Sequence, residues 1–125
     1  MSKPTDVRIK QITTSFTEIE YRTPIKFGGR VVNNATLFNV DVDVETIDGR
    51  GATGHGSMPM GNAWGWPSQV ESGERTLDAM NALGKQAALL TEQYSGGGHP
   101  IEIMHDLQAL FANSAAELEQ SMGLL

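Results

Sequence analysis

Along residues 36–47, apolar and polar side chains alternate without a break. Phe38, Val40, Val42 and Val44 stand against Asn39, Asp41, Asp43 and Glu45. A period of two with one apolar side predicts a strand with one face on a core and the other in water. Asp48-Gly49 follows and predicts a tight type I′ hairpin turn, whose two central positions take positive φ. A shorter strand is expected over 50–57. Gly51, Gly54 and Gly56 weaken it and suit a bend or a close backbone approach. Upstream, 7–22 is rich in Ile, Thr, Phe and Tyr, as strands are. Its alternation changes parity, because Val7 and Ile9 fall on one set of positions and Ile12 and Phe16 on the other. A bulge near Gln11 reconciles the two halves, since one extra residue switches the face.

Residues 58–68 (MPMGNAWGWPS) hold two Pro, two Gly and two Trp, a mixture that predicts a loop, extended here over 58–71. Two caps compete to open the following helix: the Ser68-x-x-Glu71 box, and Ser72, with Gly73 weakening the earlier start. From Thr76 the apolar spacing Leu83, Ala87, Leu90, Tyr94 is helical. Gly96-Gly97-Gly98 ends it as a flexible connection. Pro100 suits the first turn of a second helix. Ile103, Leu107, Leu110, Phe111, Ala115, Leu118 and Met122 form its stripe, and Gly123 stops it. The expected fold is α+β: one domain over 1–125, with a three-stranded antiparallel meander (7–57), a loop (58–71) and a helical hairpin (72–123).

Composition narrows the function classes. In 125 residues there are 15 Asp+Glu against 9 Lys+Arg, a net charge of −6. That balance argues against nucleic acid as the main partner, because phosphate binding needs a basic face. The absence of Cys excludes disulfides, thiolate metal sites and a Cys nucleophile. No apolar run reaches the roughly 18 residues of a membrane span, and no signal peptide opens the chain. A cytoplasmic protein without membrane contact is expected, and the Asn34-Ala35-Thr36 sequon is set aside.

Candidate chemistry is sparse. Asp41, Asp43 and Glu45 share a strand face, yet the intervening valines account for the spacing, so a solvated face is expected and no metal site. His55, His99 and His105 lack the i, i+4 spacing of a zinc helix. The triple glycine has no Lys-Ser/Thr after it and is not a phosphate loop. Two segments stand out. Residues 23–34 link the first two strands and carry Ile25, Lys26, Phe27 and Arg30 around Gly28-Gly29, as a mobile ligand clamp would. Residues 58–68 begin at Met58 and place Trp64 and Trp66 in a loop, where each must pack on its own domain, a partner or a ligand. His55 lies beside that loop and is either a ligand contact or a hydrogen-bonding group of the sheet. These eight residues are the candidate substrate-binding set; no catalytic residue is assigned.

The stretch 35–49 (ATLFNVDVDVETIDG) followed by 54–57 (GHGS), after a long first strand and a T-P-containing link, resembles the start of mandelate racemase/muconate lactonizing enzyme-type members of the enolase superfamily. Element order agrees over most of 7–122. The resemblance implies an N-terminal capping domain, made of a three-stranded sheet and helices, that selects the substrate. A C-terminal modified (β/α)₇β barrel would be its partner. The barrel holds Mg²⁺ on three carboxylates and supplies the base that takes the proton next to a substrate carboxylate, as in acid-sugar dehydratases and racemases. The cap's two specificity loops fall on 23–34 and 56–68. Homo-oligomers are usual in that family. Ser57 departs from the Glu often found there, and neither a K-x-K motif nor a trio of barrel carboxylates is present. The chain thus reads as a cap that binds no cofactor itself and is inactive alone. The other reading left open is a free-standing α+β module that binds a ligand or partner.

Overall fold

The structure is a computed structural model that describes residues 3–27, 29–66, 68 and 70–124. Three antiparallel strands, β1 (Val7–Phe27), β2 (Arg30–Thr46) and β3 (Gly51–Pro59), lie in the order β1-β2-β3. A one-turn helix α1 (Asn62–Gly65) and two long helices, α2 (Gly73–Gln93) and α3 (Pro100–Met122), follow. The expected α+β meander with a helical hairpin is therefore the fold.

Register explains the parity change in β1. Ile9 pairs with Val44 but Gln11 pairs with Asp43, so Lys10 is an extra residue. Beyond this bulge, Ile12, Thr14 and Phe16 share one side of β1 and Gln11, Thr13 and Ser15 the other. Phe16 stacks on its cross-strand partner Phe38 with centroids 5.1 Å apart. The opposite face is a polar ladder: Ser57 Oγ donates to Asn39 Oδ1 (2.7 Å), Asn39 Nδ2 donates to Thr17 Oγ1 (2.9 Å), and Thr53 Oγ1 donates to Asp43 Oδ1 (2.6 Å).

The β2–β3 turn is not type I′. Among the described residues only Gly29, Gly49 and Gly123 have positive φ, so Asp48 does not take the conformation that turn demands. Instead, Gly49 N–H donates to Thr46 C=O (3.0 Å), Thr46 N–H donates to Arg50 C=O (2.8 Å), and Gly49 has φ 91°. This is a three-residue loop closed by a glycine bulge, which lets Asp48 keep an ordinary φ. The Thr46 hydroxyl and the Arg50 guanidinium both bond the Asp48 carboxylate and hold its pKa below the usual 3.8. A lowered folded-state value means that this contribution is present above the unfolded pKa and is lost as pH falls through the folded one. Carboxyl-carbon NMR titration should place the Asp48 midpoint below 3.8, and Thr46→Val should move it up; an unmoved midpoint would remove the hydroxyl as the cause.

Helix ends follow the sequence signals. Ser72 caps α2 by accepting from Arg75 N–H (3.1 Å), while Ser68 Oγ accepts from Val70 and Glu71 N–H in the preceding turn. Both competing caps are thus used, one for the turn and one for the helix. His99 Nδ1 accepts from Ile101 N–H ahead of Pro100, and Gly123 ends α3 at φ 63°. The triple glycine is not a loose connection. Gly98 and Val7 exchange backbone hydrogen bonds of 2.9 and 3.0 Å, which pin the α2–α3 link to the start of β1.

Helix α2 packs on β1 and on α3. Ile103, Leu107 and Ser114 of α3 and Thr76 and Ala79 of α2 are buried. Leu110, expected in the α3 stripe, is 43% exposed, because it sits at the edge of the arc centred on Leu107 and Ser114. The helices stop short of β3, all nine residues of which are exposed. Total accessible surface is 8596 Å², against roughly 6,500 Å² for a compact monomer of this mass.

Candidate functional site

The link expected over 23–34 is not a loop but the far end of the β1–β2 hairpin. Ile25 pairs with Val32, Lys26 with Val31 and Phe27 with Arg30. Between Asn34 and Val32 one β2 residue faces four of β1, Tyr21 to Pro24. Pro24 cannot donate to a ladder, and strands accommodate proline at such irregularities. The tip turns at Gly29, with φ 79°. The result is an ordered arm projecting from the sheet.

The stretch expected as a loop over 58–71 is also partly regular. Strand β3 continues through Met58 to Pro59, and α1 follows. Asn62 fixes that turn to the start of α2: its Nδ2 donates to Gly73 C=O (2.6 Å) and to Thr76 Oγ1 (3.1 Å). Arg30, from the arm, donates from Nη2 to Ser68 C=O at 2.7 Å in a half-buried position. The two segments singled out by sequence are therefore joined by one charge-assisted hydrogen bond.

Between them lies an open cleft of about 230 Å³. The arm contributes Tyr21, Ile25 and Val32, the end of β3 contributes Pro59, α1 contributes Trp64, and α2 contributes Leu77. The walls are mainly apolar, with Asn34 and Asn62 as the amide groups on the lining. A second cleft shares Val32 and Leu77 and places Arg30 and Glu74 on its wall. Such a surface suits the apolar body of a ligand, with a few polar groups to orient it.

The eight candidate residues distribute unevenly. Ile25 and Trp64 line the main cleft, and Trp64 is 77% exposed. Arg30 ties the arm to Ser68. Lys26 is exposed on the arm. The Phe27 backbone closes the arm ladder, and its side chain lies outside the described part of the structure. Met58 is exposed on β3, opposite Phe38. Trp66 is half-buried and turns away from the cleft, over the groove between α2 and α3 beside Met80, Leu83 and Leu118. The two tryptophans thus divide, one serving the domain's own helices and one the outer surface. His55 stands on the polar face of the sheet with Nδ1 2.5 Å from Asp41 Oδ1. That is the sheet-bonding role, and it is not on the lining of the cleft. Sequence reading missed Tyr21, Val32 and Leu77. Gly28-Gly29 between Ile25-Lys26-Phe27 and Arg30-Val31-Val32 was the available signal, a hairpin dipeptide flanked by strand formers.

Asp41 and Asp43 each engage a neighbour, His55 and Thr53. Among the described residues no group of three or more His, Asp or Glu stands together, whereas hard cations need several convergent oxygens. No described helix is long and apolar enough to cross a membrane. Neither a scan against protein-family models nor a search of curated proteins finds a match to this chain.

Arg30→Ala should loosen the arm without unfolding the helices. A half-buried hydrogen bond from a charged donor contributes about 1.5 kcal/mol or more, so amide exchange over 25–32 should quicken roughly tenfold while α2 and α3 stay protected. Equal acceleration in α2 would show that the arm is part of the global folding unit.

Proposed function

We propose that this chain is a substrate-specificity cap: its arm and α1 turn cover the mouth of a catalytic domain and shape the space around the distal part of a carboxylate substrate. The single observation that carries this is the convergence of the two segments on one cleft, joined by Arg30 and Ser68. The resemblance over 35–57 supports the finer reading. On it, the partner is a (β/α)₇β barrel of the mandelate racemase/muconate lactonizing type, Mg²⁺ belongs to that barrel, and the reaction is a dehydration or racemisation begun by proton abstraction next to the carboxylate. The cap's own residues do no chemistry. Ile25, Val32 and Trp64 exclude water and present an apolar wall, and Lys26, at the arm's tip, offers a cation to a polar substrate end. Loss of the proposed partner surface also accounts for the small core and the large exposed area.

The test is a chimera in which this chain replaces the cap of such a barrel enzyme. Substrate preference should follow the chain. Trp64→Ala and Ile25→Ala should each change the ratio of kcat/KM between an apolar and a polyhydroxy acid by about tenfold or more, with Mg²⁺ affinity unchanged. Preference that follows the barrel, or a uniform loss on all acids, would contradict the reading. Saturable binding of an apolar acid by the chain alone would favour the free-standing module.

A further inference from the structure

The two edges of the sheet are treated differently. Two positions of β1 whose backbone points away from β2 are tied down: Ile12 N–H donates to Glu92 Oε2 of α2 (2.8 Å), and Val7 exchanges both its backbone bonds with Gly98. On β3, backbone bonds from Met60 N–H to Thr36 C=O and from Thr46 N–H to Arg50 C=O, at opposite ends of the β2–β3 ladder, set its alternation. Even-numbered residues of β3 turn their N–H and C=O toward β2, and odd-numbered residues turn theirs outward. Gly51, Thr53, His55 and Ser57 therefore present a row of donors and acceptors with no strand beside them among the described residues.

Exposed edges are usually blunted by Lys, by inward-pointing charge, by short length or by a covering element. Among the described residues strand β3 has none of these, and its one blunting device is Pro59 at its very end. Its nine residues, GATGHGSMP, carry no Asp, Glu, Lys or Arg, in a chain of net charge −6. We propose that this edge pairs antiparallel with β3 of a second copy, giving a continuous six-stranded sheet across a two-fold axis at His55. This inference is independent of the cap reading.

The register follows from the alternation. Only odd residues face outward, so odd must pair with odd, and His55 opposite its symmetry mate gives the longest overlap. Thr53 then exchanges both bonds with Ser57 of the other copy. Gly51 meets Pro59, whose missing N–H costs one bond at each end and stops the ladder. On the inner face Gly54 lies opposite Gly56, and Ala52 opposite Met58, so no bulky pair blocks approach. Half-buried Val40, Val42 and Val44 on β2 extend this face on both sides. Charge does not oppose the pairing. The nearest aspartates, Asp41 and Asp43, would be three strand spacings from their copies, about 14 Å, beyond the roughly 8 Å screening length at physiological salt.

The test joins sedimentation equilibrium with amide exchange on the intact chain. The expected result is a concentration-dependent dimer in which the amides of Thr53, His55 and Ser57 gain protection as dimer forms. Thr53→Pro removes an outward N–H and keeps the backbone ladder to β2, losing only the exposed side-chain bond to Asp43. It should raise the dimer dissociation constant roughly thirtyfold, because the axis doubles the lost bond. Should that variant fail to fold by circular dichroism, the wild-type amides decide. A monomer at all concentrations with those three amides unprotected overturns the proposal. So does a dimer that leaves them unprotected, which would place the contact at the arm and Trp64, or their protection in a monomer on adding a barrel domain.

Discussion

Leu107→Ala is expected to cost about 3 kcal/mol of unfolding free energy. Leu107 has no accessible surface, and among the described residues only Ala79 and Ile103 join it as buried hydrophobics. Truncating it opens a cavity at the most deeply buried apolar side chain of a core with little else to close the gap, so the cavity term adds to the lost transfer energy. Domains of this kind hold about 5–15 kcal/mol in all, and the melting temperature should fall by roughly 10 °C. The polar sheet ladder does not compensate, because its hydrogen bonds are exposed and exchange with water. A fall of only one or two degrees would mean that the helix pair is not the cooperative core.

Gly84→Leu should be the second most damaging single change, at about 2 kcal/mol. A Cβ at Gly84 would stand 3.0 Å from Phe38 Cε2 and 3.3 Å from two further ring atoms. Phe38 cannot step aside freely, since it stacks on Phe16, over which Lys85 Nζ lies 5.3 Å from the ring centre. Alanine there trades a tight contact against the roughly 1 kcal/mol that glycine costs a helix, whereas leucine must push α2 off the sheet. Urea unfolding of the two variants measures this. Leucine as stable as wild type would show that α2 can slide across β1.

Much of the architecture was legible because its signals are local. The parity switch between Ile9 and Ile12 locates the bulge, and Ser72, Pro100 and Gly123 mark helix ends by their own chemistry. What escaped depends on partners distant in sequence. The arm was hidden because Pro24 breaks the alternation that identifies strands, although Ile25 and Val32 still pair beyond it. Strand β3 runs on to Pro59 because a proline at an outward-facing edge position removes no bond to β2. Nothing in MPMGNAWGWPS distinguishes Trp66, which packs on the helices, from Trp64, which lines the cleft. The Asp48-Gly49 turn was found, but its type depends on loop length, which the dipeptide does not encode.

The central claim is that this chain shapes a substrate pocket without carrying the chemistry or the metal itself. Isothermal titration of the intact chain with Mg²⁺, alone and with a panel of aryl and polyhydroxy carboxylic acids, tests it most directly. The account predicts heats that do not saturate below about millimolar, as for a generic acidic surface. A stoichiometric Mg²⁺ site tighter than that, or an acid that saturates below it with or without the metal, would contradict it.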